Sequence, residues 1–200
     1  MSGTSGDGVD ASVINSDGKG YYKVLINKYF KYSDEISQNI YKLKRNINNI
    51  GDVKIFSTEI NDLERKITLF HSSVVSEFTK KKDFGIDLIG FHGQTILHSP
   101  KNKYSKQLGD GNLLSQLSKK KVIFNFRQND LFQGGEGAPL SPIFHQLIVK
   151  EKKIDLPVCI LNIGGISNLT LIKDFKEENL ISKDIGPGNC LIDEWIRRNK

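Results

Sequence analysis

Six polar, glycine-rich clusters interrupt the apolar runs of this 200-residue chain: SGTSGDGVD (residues 2–10), GFHGQTILH (90–98), QLGDGN (107–112), NFRQNDLFQGGEGAPL (125–140), NIGGISN (162–168) and DIGPGN (184–189). Strand ends beside turns are where ligands bind in αβ folds. Glycine lets successive backbone N–H groups point at an anion with no Cβ in the way. In the first cluster Gly3, Gly6 and Gly8 supply that freedom, and Thr4 and Ser5 add hydroxyl donors. Asp7 or Asp10 could hold a divalent cation, since carboxylates suit Mg²⁺. The cluster reads as a phosphate turn. It is not a Walker A loop, because no GxxxxGK[ST] occurs. Nor is it a nucleophile elbow, because Gly3-Thr4-Ser5-Gly6-Asp7 misplaces the second glycine of GxSxG. Six such clusters, all carrying Asp, Asn, His, Gln or Arg, predict the walls of one polar cleft.

Other polar residues have blander readings. Arg127 directly follows an apolar run and either contacts a ligand or pairs with Asp130. Asp110 and Asp130 suit the cleft and turn stabilisation equally. His98 and His145 read as structural, and His71 falls in a helix with no chemical company.

The elements that must position these clusters follow from periodicity. Two β-branched and aromatic runs flank Ser16–Gly20, which predicts a β-hairpin. Ile36, Ile40, Leu43 and Ile47 recur at helical spacing, with Ser33 as cap and Gly51 as stop. Leu63, Ile67, Phe70, Val74 and Phe78 share one face of a second helix. IDLIGFHGQTILH is a strand entering a polar turn, GNLLSQLSKKK a short helix, KVIFNF a buried strand, and LSPIFHQLIVKE a helix after a proline start. LPVCILNIGGISNLTLI forms another hairpin, and NCLIDEWIRRNK begins a last helix. A hairpin with a polar glycine turn opens the chain and another follows residue 155. This coarse symmetry predicts two related αβ domains, the second barely begun.

Composition removes several function classes. Hydrophobic residues make up 38% of the chain and charged residues 26%, enough apolar material for a core. No apolar run reaches a membrane span, and no secretory leader pattern is present, so the default location is cytoplasmic. The net charge is +6, yet the runs Lys80–Lys82 and Lys119–Lys121 follow apolar-periodic segments, where helix C-termini favour cations. No aromatics interleave with them, which argues against a nucleic-acid partner. Cys159 and Cys190 read as reduced thiols.

Taken in order and spacing, MSGTSGDGVDA, GFHGQTILH, QLGDGNLL, NFRQNDLFQGGEGAPLSPIFH, LNIGGISNLTLI and DIGPGNCLIDEW resemble the anhydro-N-acetylmuramic acid kinases over nearly the whole chain. The resemblance implies an α/β actin-like/sugar-kinase (ribonuclease H-like) ATPase fold. Residues 1–150 would form the first domain, and residues 151–200 the crossover and start of the second. It implies ATP and Mg²⁺, cleavage of 1,6-anhydro-N-acetylmuramic acid with phosphorylation at O6, and a place in peptidoglycan recycling. By the same resemblance, Gly3, Thr4, Ser5, Gly6, Asp7, Gly8, Val9 and Asp10 form the first phosphate loop, with Asp7 toward the metal. Asn162, Gly164 and Gly165 belong to the second phosphate loop. Asp184 matches the general base, which takes a proton from the water attacking the anomeric carbon. His92, Gln94, Thr95, Arg127, Gly186 and Asn189 fall in the sugar site. A homodimer of the full-length protein is left open.

The chain departs from the family pattern in places. Asn125 stands where Asp is usual, Glu136 where Gln is usual, and Gly6 where a larger apolar residue is usual. In the family a strand precedes the first loop, and a longer second domain carries adenosine recognition. This chain begins inside the first motif and stops in a helix whose Leu191, Ile192 and Trp195 lack a partner. The expectation is a fragment truncated at both ends. Two alternatives accompany this reading: a kinase of the same fold for another sugar, and a non-catalytic fragment that folds as a binding module.

Overall fold

The computed structural model describes residues 2–3, 5–80, 85–176 and 179–199. Thr4 of the first cluster, and Lys81 and Lys82 of the first basic run, lie outside them. The chain is mixed α/β and divides into two compact units, Met1–Asn15 with Val24–Gly137, and Ser16–Lys23 with Ala138–Lys200.

The first unit opens on strands β1 (Gly8–Ser16) and β2 (Tyr22–Lys31), paired around the Ser16–Gly20 turn as periodicity predicts. Their tip, Ser16–Lys23, counts with the second unit. Asp17 closes the turn by accepting the Lys19, Gly20 and Tyr21 N–H groups, and these bonds hold its carboxyl below the usual range. Helix α1 (Asp34–Asn46) starts where Ser33 accepts the Ile36 N–H, with Asp34 and Glu35 in the first turn and Lys44 and Arg45 in the last. It ends before Gly51, contrary to expectation. Asn49 and Asp52 build a reciprocal capping box that starts a further helix, α2 (Ile50–Ile55), and Gly51 lies inside it. Helix α3 (Ser57–Lys80) buries Ile60, Leu63, Ile67, Val74 and Phe78. The α1 stripe meets α3 in a core of Val9, Tyr32, Ile36, Ile40, Leu43, Ile47, Ile60, Leu63, Ile67, Ile96 and Leu108.

Strand β3 (Leu88–Phe91) leads through His92-Gly93 into β4 (Gln94–Ser99), which pairs antiparallel with β5 (Tyr104–Leu108). Helix α4 (Gly111–Ser118) ends on Lys119 in the left-handed conformation. Strand β6 (Lys121–Phe124) then pairs parallel with β3. The expectation of a buried strand fails here. β6 is paired to β3 alone among the described strands, and Ile123 and Phe124 are exposed. The short helix α5 (Phe126–Phe132) occupies what reads in sequence as a turn cluster.

The second unit begins with α6 (Pro142–Lys152) and a three-stranded antiparallel sheet, β7 (Val158–Ile163), β8 (Ile166–Ile172) and β9 (Leu180–Pro187), in that order. Helix α7 (Cys190–Arg198) follows, with Leu191, Ile192 and Trp195 exposed. His145 of α6 bonds Thr170 on β8 at 2.9 Å, so α6 covers the Thr170 face of the sheet. Both cysteines are free. No helix among the described residues is long and apolar enough to cross a membrane.

Candidate active site

The first loop is anchored from three sides. Gly6 donates its N–H to the Gly3 carbonyl at 3.3 Å in a tight turn. Gly6 sits at φ +70°, and a Cβ there would lie 2.9 Å from Ile40 Cγ2. The absence of a side chain is thus built into this turn. Ser2 Oγ lies 2.7 Å from the Tyr32 hydroxyl and 3.4 Å from His71 Nε2. The other His71 nitrogen, Nδ1, faces the Ile67 carbonyl at 2.8 Å and must carry the proton, which leaves Nε2 as acceptor. Burial drives the His71 pKa down to about 4 and the Tyr32 pKa up to about 12. The expectation that His71 has no chemical company is therefore corrected: it belongs to the network beneath the loop. On the third side, Gln94 Nε2 donates to the Gly3 carbonyl at 2.9 Å.

Asp7 is similarly held. Its carboxylate accepts from Ser5 Oγ and its carbonyl from the Tyr32 N–H at 2.9 Å. Burial and the neighbouring Asp7 raise the Tyr29 phenol. Lys44, one helical turn beyond Ile40, is half-buried. Burial lowers its pKa to about 8 against the opposing pull of Asp7. Sequence reading missed Lys44. Its only signal was its place at the edge of the Ile36–Ile40–Leu43 stripe. The Ser5 hydroxyl is of the type that suits a phosphate oxygen, and the Asp7 and Asp10 carboxylates are of the type that suits a hard cation. Mg²⁺ is usually held by one or two carboxylates, completed by phosphate and water.

A second cluster forms at the β3–β4 junction. His92 Nδ1 faces the Gly93 carbonyl at 2.8 Å, and Arg127 Nε donates to His92 Nε2 at 3.1 Å. The imidazole is therefore neutral, with its proton on Nδ1. Burial first, then the Arg127 charge, press its pKa down to about 4. Arg127 also donates to the Gly137 carbonyl at 2.7 Å, while the Gly137 N–H donates to Asp130 Oδ2 at 2.6 Å. Arg127 and Asp130 thus grip opposite sides of one peptide residue. Asp110 serves as N-cap of α4, accepting the Asn112 and Leu113 N–H groups. His98 bonds Ser105 at 3.0 Å. Thr95 is half-buried, and its hydroxyl accepts from Gln107 at 3.3 Å. Gln94 is fully buried, and its amide N–H₂ donates to the Gly3 carbonyl of the first loop. Asn125 adopts φ +64°, a conformation that Asn tolerates better than most residues, and Glu136 is exposed.

In the second unit the NIGG turn and the GPGN stretch are braced together. Gly188 N–H donates to the Gly165 carbonyl at 3.0 Å, Asn189 N–H to the Gly164 carbonyl at 2.7 Å, and Asn189 Nδ2 to the Ile163 carbonyl at 3.3 Å. Gly188 is required by contact, since a Cβ there would sit 2.1 Å from the Gly164 oxygen. Asn162, Asn168 and Asp184 pair in register across β7, β8 and β9. They form one polar row beside the brace. Sequence reading missed Asn168, because only strand pairing puts it beside Asp184. Asp184 itself is exposed.

Comparisons with known proteins agree with the motif pattern. The family model described as anhydro-N-acetylmuramic acid kinase matches residues 1–200. Relatives described as anhydro-N-acetylmuramic acid kinase include one from Pelagibacter ubique, 55% identical over 199 residues, covering 100% of this chain and 53% of the relative. Another, from Zymomonas mobilis, is 40% identical over 202 residues, covering 98% of this chain and 54% of the relative. A third, from Agrobacterium fabrum, is 38% identical over 201 residues, covering 98% and 53%. The chain thus spans about half the length of the curated relatives it matches.

Proposed function

The chain belongs to the anhydro-N-acetylmuramic acid kinase family, and we propose that the protein works as such a kinase. It opens the 1,6-anhydro ring of anhydro-N-acetylmuramic acid and phosphorylates O6, giving N-acetylmuramic acid 6-phosphate for cell-wall recycling. Residues 1–150 act as the first αβ domain, and residues 151–200 as the crossover and start of the second. A reaction that draws on ATP suits the cytoplasm. ATP supplies the phosphoryl group, and Mg²⁺ neutralises its charge when bound.

The chain's own residues then have defined tasks. The amides of Gly3 to Asp10 and of the Asn162–Gly165 turn orient phosphate oxygens, with Asp7 toward the cation. Arg127, oriented by its bonds to His92 and Gly137, and Thr95 bind the sugar, and Gly186 and Asn189 serve the same substrate. Asp184 takes a proton from the water whose oxygen attacks the anomeric carbon. The C1–O6 bond breaks as the new C1–O bond forms, and the freed O6 accepts the phosphoryl group. A carboxylate on β9, open to solvent, suits a base for water. Orientation and charge neutralisation supply most of the remainder in phosphoryl transfer.

The observation that carries this reading is the brace between the NIGG turn and the GPGN stretch, which fixes a glycine turn beside the strand bearing Asp184. The test is product formation from anhydro-N-acetylmuramic acid and ATP by the complete gene product. Sugar 6-phosphate formed in step with ADP is expected. ADP release without sugar phosphate, or no turnover, would overturn it.

A further inference from the structure

We propose that Gln94 is a positioning residue for the first loop: it holds the Gly3 peptide in place so that the loop amides keep their aim, and it does not touch the sugar. The inference rests on the reading of that loop as a phosphate loop. Gln94 opens β4 with 0% exposure, and its backbone is fixed in register opposite Leu108, itself fully buried. Its side chain reaches 91 residues back along the chain to the Gly3 carbonyl at 2.9 Å. Only the N–H₂ end of an amide can donate to a carbonyl, so the orientation of this group is set by Gly3.

That orientation leaves Gln94 Oε1 buried with no hydrogen-bond donor among the described residues. An orphaned buried acceptor destabilises the fold. A methionine would fill nearly the same volume without the penalty. The amide therefore carries a stability cost for the sake of one bond, and that bond goes to the loop. Uncompensated polar groups of this kind are expected where function, rather than packing, sets the residue. One residue away, across Gly93, His92 holds Arg127. The HGQT stretch thus serves two neighbouring tasks, one residue for the sugar side and one for the phosphate loop.

The test uses Gln94→Met in the complete gene product, with nucleotide affinity measured by calorimetry using an ATP analogue and Mg²⁺. The expected result is nucleotide binding weakened about tenfold, an unchanged KM for the sugar, and a Tm equal to or above wild type. An unchanged nucleotide affinity, or a raised sugar KM with nucleotide binding intact, would overturn the proposal. Gln94→Glu gives a second reading should the methionine variant not fold. Its carboxyl loses the donor when ionised and regains one when protonated. Burial keeps that carboxyl protonated near neutrality, so nucleotide affinity should stay close to wild type at neutral pH and weaken as the pH rises; an affinity equal to wild type at every pH would overturn the role. A wild-type protein that bound no nucleotide would overturn the phosphate-loop reading itself, an outcome distinct from failure of the Gln94 variants alone.

Discussion

Asn168 and Asp184 face each other in register across the β8–β9 pair, and the register breaks immediately beyond them. Ser167 pairs with Gly186, so Ile185 is left as an extra residue in β9. A bulge of this kind bends and twists its strand locally and re-aims the neighbouring side chains. Thr170 and Ser182, the pair two residues along, bond at 3.4 Å on the same face. That face also carries Asn168 and Asp184. Asn168 Oδ1 is buried with no donor among the described residues, whereas Asp184 is exposed. The sheet thus presents a carboxylate to solvent from a row whose other members, Asn162 and Asn168, are amides.

Replacing Asp184 with Asn should therefore act on chemistry and leave the fold alone. Turnover by the complete gene product is expected to fall about 10²- to 10⁴-fold, the usual worth of a positioned base. The Tm should stay within experimental error, because the side chain is exposed. Steady-state kinetics beside thermal melts checks both; near-normal turnover would remove Asp184 from the base role.

How much of this arrangement was legible depends on which interactions fix each part. The two hairpins and helices α1 and α3 follow from local periodicity and turn residues, and the sequence reads them correctly. The glycine clusters are also local, so their positions at element ends are visible. What escapes is set at long range or by competing local signals. Gly186-Pro187 looks like a turn, yet Pro187 pairs with Ile166 at the end of β9. Asn125–Gly137 looks like continuous loop, because Asn, Asp and Gly mask the single helical turn pair of α5. Gly51 looks like a helix stop, but the Asn49–Asp52 box converts it to a helix residue. The Ser2–Tyr32–His71 network and the pairing of Asn168 with Asp184 join separate segments of the chain. No window on the sequence contains them.

The brace in the second unit gives a sharper mutational test. At Gly188 any Cβ would collide with the Gly164 carbonyl, and that neighbour is backbone, which cannot swing aside. Gly188→Ala should push the NIGG turn away and break the Gly188–Gly165 and Asn189–Gly164 bonds. Nucleotide affinity is expected to weaken at least about tenfold, measurable by calorimetry. Wild-type affinity would show that the brace does not shape the second phosphate loop.

Stability should respond to acid through histidines. His71 and His92 are both held neutral, each with a pKa near 4 against 6.5 in the unfolded chain. A depressed histidine binds fewer protons folded than unfolded between those values. Its stabilising contribution is thus complete above about pH 6.5 and is lost as the pH falls toward about 4. For His71, which is buried, the loss is on the order of 2–3 kcal/mol. Thermal melts should be flat from pH 8 to about pH 6.5 and fall through the window below. A Tm constant between about pH 6.5 and about pH 4 would contradict the neutral assignment of both rings.

The GDGN turn depends on a carboxylate from α3. Glu64 Oε1 accepts from Lys106 Nζ at 2.9 Å and from the Gly109 N–H at 3.1 Å. One turn on, Thr68 Oγ1 accepts the Asp110 N–H at 2.9 Å while donating to the Glu64 carbonyl at 2.7 Å. Glu64→Ala strips both partners from Oε1 and leaves the part-buried Gly109 N–H unpaired, at an expected cost of about 1–3 kcal/mol. Lys106→Met should cost less, because Glu64 keeps the Gly109 bond and the ion pair is partly exposed. The double variant should lie close to Glu64→Ala, since the lysine has nothing left to lose once the carboxylate is gone. Denaturant unfolding of the three variants and wild type closes the cycle. Strict additivity would show that Lys106 and Glu64 act independently, and that the turn is held by Thr68 alone.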